Sequence, residues 1–267
     1  ALSLRRHTFT TPILVLGYTL PELLPEAVEK DFSLSVSSFE GLDAIQKAKL
    51  PKPIKIHIKA DTGMHRQGFL AKDLPKILAE LKVKSEKLKV EGLYTHFAAA
   101  KNPAFPQDTK TQLKEFKIWR DAFKKAGREP TIHAAATAGM MLFPEAHFDM
   151  VRVGVGLYGF WPAREVEAFL RDRITLKPTL AWKSLITEIK FLKKGNRIGY
   201  DLIETLQSDS RVAVVPIGYW HGYPRALSNI GRVLVRRKEC RVLGRVSMDM
   251  FTIDVTKVPN ARVGDEV

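Results

Sequence analysis

Four short stretches of the chain hold side chains of the kind that bind anions or move protons. The first, Lys59-Ala60-Asp61-Thr62-Gly63-Met64-His65-Arg66-Gln67-Gly68-Phe69, follows an apolar run of strand length and so falls on a strand-to-helix loop. An arginine there can hold a carboxylate by a two-point fork; a glycine-bearing turn with an exposed arginine has the same spacing. The second is Tyr94-Thr95-His96-Phe97 and the third Val151-Arg152-Val153-Gly154-Val155-Gly156-Leu157-Tyr158-Gly159, each at the end of an apolar run. Taken singly, His96 reads equally as a hydrogen-bonded core histidine. Arg152 says more, because a charge inside an apolar strand is costly unless it is paired or bound to a ligand. Gly154 and Gly156 permit close backbone approach to an anion, although Gly-X-Gly alone is weak evidence of phosphate binding. The fourth stretch is Val215-Pro216-Ile217-Gly218-Tyr219-Trp220-His221-Gly222-Tyr223-Pro224-Arg225, followed by Gly244-Arg245-Val246-Ser247-Met248-Asp249-Met250. Glycine, proline and aromatics packed this closely make a structured turn, and a tyrosine exposed on it can act as acid or base beside a cation that lowers its pKa.

The elements that must position these residues are of two kinds. Up to about Ile174, apolar runs alternate with segments of helical period, the pattern of repeated βα units. Strands are expected at Ile13 to Gly17, Phe32 to Ser38, Ile54 to Lys59, Val90 to Phe97, Thr131 to Ala136 and Met150 to Gly156. Leu74, Ile77, Leu78 and Leu81 form one apolar helical face, and Leu113, Phe116, Trp119 and Phe123 another. A closed parallel barrel needs eight such units and carries its site on the loops after the strands. Residues 1–174 therefore read as an incomplete (β/α)8 TIM-type barrel. The texture then changes: Thr179 to Phe191, Arg211 to Ile217, Val233 to Val235, Arg241 to Leu243 and Phe251 to Val255 read as strands without helical segments between them. Residues 175–267 are expected to form an incomplete all-β domain, with the polar stretch at Arg171, Asp172 and Arg173 at the boundary.

With 45% hydrophobic residues in 267, the chain can bury a substantial core. The single cysteine, Cys240, excludes an internal disulfide and a multi-cysteine metal site, which fits a reducing, cytoplasmic setting; no metal is expected. No apolar run approaches the roughly 20 residues of a membrane span, and the opening Ala1 to Arg6 is charged too soon for a signal peptide. A net charge of +14 raises the question of nucleic acid. The lysines, such as Lys72, Lys76, Lys82, Lys84 and Lys87, are scattered over helix surfaces without interleaved aromatics, so a solvated basic surface is expected and no nucleic-acid or membrane partner.

The order and wording of the four stretches resemble the alanine racemase family. The likeness begins at Thr11-Pro12-Ile13-Leu14-Val15-Leu16-Gly17 and runs to Arg262-Val263-Gly264-Asp265-Glu266-Val267. It is most specific in the Gly-Tyr-X-X-Gly-Tyr-Pro-Arg-Ala-Leu-Ser-Asn and Met-Asp block from Val215 to Asp249, and in Lys-X-Asp-Thr-Gly-Met-X-Arg-X-Gly. The resemblance implies a pyridoxal 5'-phosphate barrel with a C-terminal β domain, an amino-acid substrate, and a homodimer with composite active sites that supplies D-alanine for peptidoglycan. Tyr219 then looks like the catalytic tyrosine donated by the partner subunit, Arg66 like the arginine on the substrate carboxylate, and Lys59 like a bracing lysine that some members carry carbamylated. Met248 matches the position whose backbone N–H meets the substrate carboxylate. Arg152 resembles the arginine on the pyridine nitrogen, and His96 the histidine between it and the tyrosine. Thr137, Gly154 and Val155 fall where the family holds the cofactor phosphate.

Departures accompany the likeness. The family's cofactor-bearing lysine lies in a Lys-Ala-Asn-X-Tyr-Gly motif at the end of the first strand, and no such motif occurs here. Lys59-Ala60-Asp61 imitates its opening, but Thr62-Gly63-Met64-His65-Arg66 marks it as the later arginine motif. Together with the strand count, this reads as a chain truncated at both ends and inactive as it stands. The usual Ala-Asp after the tyrosine is Trp220-His221. The usual Asn-Ser on the phosphate side is Ala136-Thr137, which keeps a hydroxyl and loses an amide. A non-catalytic cofactor-binding relative and a racemase of another amino acid such as serine are the alternatives.

Overall fold

The computed structural model describes residues 1–7, 10–83 and 86–267, so Lys84 lies outside the described residues. The chain divides into two compact units, Ala1–Thr179 and Leu180–Val267.

In the first unit, helices and strands alternate as α1 (Leu2–Arg6), β1 (Ile13–Val15), α2 (Leu24–Glu29), β2 (Phe32–Val36), α3 (Phe39–Lys47), β3 (Ile54–Lys59), α4 (Leu74–Val83), β4 (Leu88–Tyr94), α5 (Gln107–Lys125), β5 (Thr131–Ala136), α6 (Thr137–Leu142), β6 (Met150–Arg152) and α7 (Arg164–Leu170). The strands form one parallel sheet in sequence order, a half-barrel in which β1 and β6 each have one described neighbour. Period-two patterning explains how it is layered. Ile54, Ile56 and Ile58 of β3 are fully buried in the same apolar core as Leu42, Ile45, Ile77 and Leu81 of the helices. The alternate residues Lys55, His57 and Lys59 take the other face, as Ser33 and Ser35 do on β2. Helix α5 buries Leu113, Phe116, Trp119 and Phe123, each worth about 1.5–3 kcal/mol when removed from water. Strand β4 carries one extra residue opposite Ile56/His57. There Gly92 is required, because a Cβ would stand 1.9 Å from His57 Nδ1.

Four of the six expected strands run too far at their carboxyl ends. The sheet stops at Val15, Val36, Tyr94 and Arg152, where the sequence reading continued to Gly17, Ser38, Phe97 and Gly156. Apolar character continues past the ends of β1, β4 and β6 because Leu16, Phe97, Val153 and Val155 line a cavity rather than a sheet.

The second unit is antiparallel throughout. Strands β7 (Glu188–Leu192), β10 (Ser210–Val215), β11 (Arg232–Val235), β12 (Lys238–Leu243) and β13 (Phe251–Asp254) form a sheet in the order β11-β12-β13-β10-β7, and β8 (Arg197–Ile198) pairs with β9 (Glu204–Thr205). Ile186, Val215, Val242, Phe251 and Ile253 centre its core. The expected strand from Thr179 to Phe191 is corrected: only Glu188 onward belongs to the sheet. Ser184 and Ile186 pair instead with the backbone of Val267 and Asp265. The short β8–β9 pair was not foreseen. Among the described residues no helix is long and apolar enough to cross a membrane.

Candidate active site

Strand β3 ends at Lys59, and the loop after it is closed by Phe69 N–H donating to Lys59 O (2.9 Å) and Asp61 N–H donating to Phe69 O (2.9 Å). Inside this loop the Asp61 carboxylate accepts four backbone N–H groups. Those of Gly63, Met64 and His65 reach Oδ1 at 3.1, 3.0 and 2.9 Å, and that of Arg66 reaches Oδ2 at 3.1 Å. Burial pushes the carboxyl pKa upward, but the amides outweigh it and hold it below the ordinary value. Gly68 (φ +130°) lets the chain close, since a Cβ there would lie 2.6 Å from Asp61 N. The loop thus presents Arg66, whose exposed guanidinium has no hydrogen-bond partner among the described residues. Gln112 of α5 fixes this loop to the next: its Oε1 accepts from Ala98 N–H (2.8 Å), and its Nε2 donates to His96 O (3.3 Å) and Thr62 Oγ1 (3.4 Å). The Thr62 and Thr95 hydroxyls share a 2.7 Å bond beside it.

Arg152, at the end of β6, gathers the polar face of the sheet. Its two Nη2 hydrogens are shared among Thr95 O (2.7 Å), Ala134 O (2.8 Å) and, more distantly, His96 Nδ1 (3.2 Å), and its Nη1 donates to His133 Nδ1 (2.7 Å). All these acceptors are neutral. Burial lowers the guanidinium pKa to about 10, which leaves it charged at neutral pH. Nε–H and the second N–H of Nη1 have no partner among the described residues. The neighbouring imidazoles are held neutral: burial first and the Arg152 charge second bring His133 down to about 3 and His96 to about 4. Tyr94 stacks on His133 (4.8 Å, 2° between planes) and shares a 2.6 Å bond with Ser35. Lys59 Nζ lies 3.3 Å from Gln67 Oε1, and burial, then Arg66 and Arg152, lower its pKa.

On the far side, Thr137 Oγ1 accepts N–H bonds from Gly154 (3.0 Å) and Gly156 (3.4 Å). A Cβ on Gly156 would stand 2.7 Å from Thr137 Cγ2, so this residue must be small. Lys59, Arg66, His96, Thr137, Arg152, Gly154 and Val155 line one cavity of about 560 Å³ at the carboxyl ends of the strands. Lys101 and Trp161 line it too and were not singled out from the sequence. Four cations face this space, Lys59, Arg66, Lys101 and Arg152, and no carboxylate is among the described residues lining it.

The two remaining sequence candidates belong to the second unit. Tyr219 opens a single 3-10 turn, Tyr219–His221. Its N–H donates to Ser247 O (3.1 Å) and that of Trp220 to Met248 O (3.0 Å), so the Tyr219 turn and the Met248 segment are joined. Gly218 makes the approach possible: a Cβ would lie 2.2 Å from both carbonyl oxygens. Tyr219 and Met248 are each nearly half exposed. His57, His133 and Gln112 escape the sequence reading, and Asp61, Tyr94 and Thr95 lie inside the candidate stretches without a role of their own. The strict alternation Ile-Lys-Ile-His-Ile-Lys along β3 was the available sign of a polar inner face.

A parallel βα half-barrel with a cation-lined cavity at its strand ends, followed by an antiparallel β unit, has the layout of a barrel enzyme, whose site lies on the loops after the strands. Residues 1–162 match the family model of the alanine racemase N-terminal domain and residues 179–267 that of the C-terminal domain. The chain belongs to the alanine racemase family, whose members are pyridoxal 5'-phosphate-dependent isomerases. It is 40% identical to the alanine racemase of Methanococcus maripaludis over 274 residues, covering all of this chain and 71% of that protein. It is 37% identical to that of Symbiobacterium thermophilum, covering 99% and 70%. Among solved structures, alanine racemase from Clostridium difficile 630 superposes with a TM-score of 0.87 at 33% identity, covering 99% of this chain and 69% of that one. The Pseudomonas aeruginosa biosynthetic alanine racemase gives 0.88 at 30%, covering 99% and 72%.

Proposed function

We propose that this chain supplies the cofactor and substrate framework of a cytoplasmic, homodimeric racemase that interconverts L- and D-alanine by a two-base mechanism and feeds D-alanine to peptidoglycan. The observation that carries this reading is the cavity with four cations and no lining carboxylate. Pyridoxal 5'-phosphate fits it by donor chemistry: a phosphate and a phenolic oxygen need cations and N–H or O–H donors, and the ring needs apolar walls such as Phe97 and Val153. When bound, the cofactor supplies an electron sink that makes the α-proton of an amino acid removable.

The chain's own residues do the rest. Arg152 has unengaged N–H groups and no acceptor, so it meets a ring nitrogen only as a donor and keeps that nitrogen unprotonated. Thr137, Gly154 and Val155 hold the phosphate side. Arg66 takes the substrate carboxylate in its fork, and Met248 N–H, brought with Tyr219 by the partner subunit, is a further donor. Lys59 has its pKa lowered by burial and by its cationic neighbours, which favours the neutral amine that carbamylation needs; the carbamate, an anion, is the form that braces Arg66. His96 accepts at Nδ1, so its proton resides on Nε2, where it can donate toward a phenolate. Tyr219, contributed by the partner subunit, takes or returns the α-proton at Oη. In the family, the base on the opposite face is a lysine in a motif that this sequence does not contain. Tyr219→Phe is expected to abolish α-proton exchange for one alanine enantiomer while cofactor absorbance persists. Equal loss for both enantiomers together with the absorbance would overturn the reading.

A further inference from the structure

Arg152 donates and never accepts, so its 2.7 Å bond to His133 fixes which ring nitrogen of that histidine is bare: Nδ1. A neutral imidazole with a bare Nδ1 carries its proton on Nε2. His133 Nε2 lies 2.9 Å from His57 Nδ1, which must therefore be an acceptor, leaving the His57 proton on its own Nε2. The tautomers of two buried rings are thus set in sequence by one guanidinium, and the constraint works in both directions. Were His133 protonated at Nδ1 instead, an N–H would face the N–H groups of Arg152 and the bond would become a donor-against-donor contact. His57 rewards the productive tautomer by offering the acceptor that Nε2–H needs.

We infer that His57 is a positioning residue, acting through His133 to hold the Arg152 guanidinium in the orientation that leaves its free N–H groups facing the cavity. This rests on the assignment of Arg152 to the cofactor's ring nitrogen. Three further features agree with it. Both imidazoles are buried, and burial together with the Arg152 charge disfavours their cationic forms, so the relay consists of neutral rings. The extra residue in β4 and the bare Cα of Gly92 make the room the His57 ring occupies. Tyr94, stacked on His133 and tied to Ser35, stops the His133 ring from turning out of plane.

The test compares wild-type holoenzyme with His57→Leu, which fills the space without an acceptor, and His57→Asn, whose Oδ1 replaces Nδ1. Nitrogen NMR of the histidine rings should show His133 bare at Nδ1 in the wild type and in His57→Asn, and mixed in His57→Leu. Alanine kcat should fall roughly tenfold or more in His57→Leu, the usual scale for losing an outer hydrogen-bond partner, with a shifted cofactor absorption band, and His57→Asn should recover both. A proton on Nδ1 of wild-type His133 overturns the inference even if neither variant folds, as does an unchanged His133 tautomer in His57→Leu. Lack of cofactor absorbance in the wild type would instead sink the assignment of the site itself, so the two failures are distinguishable.

Discussion

Asp61 organises the arginine loop more than its place in the motif suggests. One carboxylate serves four consecutive amides, and only Oδ2 serves that of Arg66. Asp61→Asn keeps an oxygen for three of them and turns an NH2 toward the fourth, donor against donor. We expect a stability loss of about 1–3 kcal/mol and a raised KM for alanine with kcat less affected, readable by thermal unfolding and steady-state kinetics; an unchanged KM would show that the loop is held by other means. At this scale the sequence was legible where chemistry and position coincide. His96 and Arg152 were found because each is a charged or titratable residue at the end of an apolar run, and Arg66 because it lies in a glycine-bearing loop directly after a strand. His57 and His133 were not, because a polar residue inside a strand reads as solvent-facing unless the opposite face of the sheet is known to be enclosed. Gln112 lies on the mostly apolar buried face of its helix, and its three loop contacts reach residues 14, 16 and 50 positions away, which no local pattern reveals.

Turns tell a similar story among the elements. Strands β11 and β12 are joined by two residues, Arg236 and Arg237, both left-handed with φ of 49° and 65°. Such a turn ordinarily takes Asn-Gly, so nothing in the sequence announced it: the expected strand before it ends at Val235 as β11 does, but the one after it begins at Arg241, whereas β12 begins at Lys238. Arg236 is secured by a forked pair with Asp265 at 2.7 and 2.9 Å, whereas Arg237 carries left-handed strain of about 1–2 kcal/mol. Arg237→Gly removes that strain at an entropic cost of about 0.5–1 kcal/mol. The β unit should therefore gain about 0.5–1 kcal/mol, measured by urea unfolding; a loss would mean that the arginine side chain stabilises the hairpin. Gly218 works oppositely. Two carbonyl oxygens of the backbone would lie 2.2 Å from an added Cβ, and neither can swing away like a side chain. Gly218→Ala should cost about 3 kcal/mol, the upper end of overpacking, and separate Tyr219 from Met248. Racemisation should then fall more than stability alone explains, and an alanine variant with normal activity would contradict the joined turn.

Across the whole molecule, charge and buried histidines act together on acidification. The chain begins at +14, and each proton taken up adds self-repulsion. His133 is held at about 3 and His96 at about 4 against an ordinary 6.5, with His57 also lowered. A lowered histidine pKa means that the folded state refuses protons the unfolded chain accepts. Stability is therefore full above about pH 6.5 and is lost as pH falls toward 4, by about 1.4 kcal/mol per pH unit for each histidine involved. Repulsion has the same sign, so a falling curve alone does not separate the two. Salt does: at 1 M the Debye length is about 3 Å, which screens surface charges but not groups enclosed by the sheet. Urea unfolding between pH 7 and pH 5 should thus keep most of its slope in high salt. His96→Gln should flatten it by removing one refused proton. A slope that vanishes with salt would assign the acid sensitivity to the basic surface and leave the neutral imidazoles around Arg152 without energetic consequence.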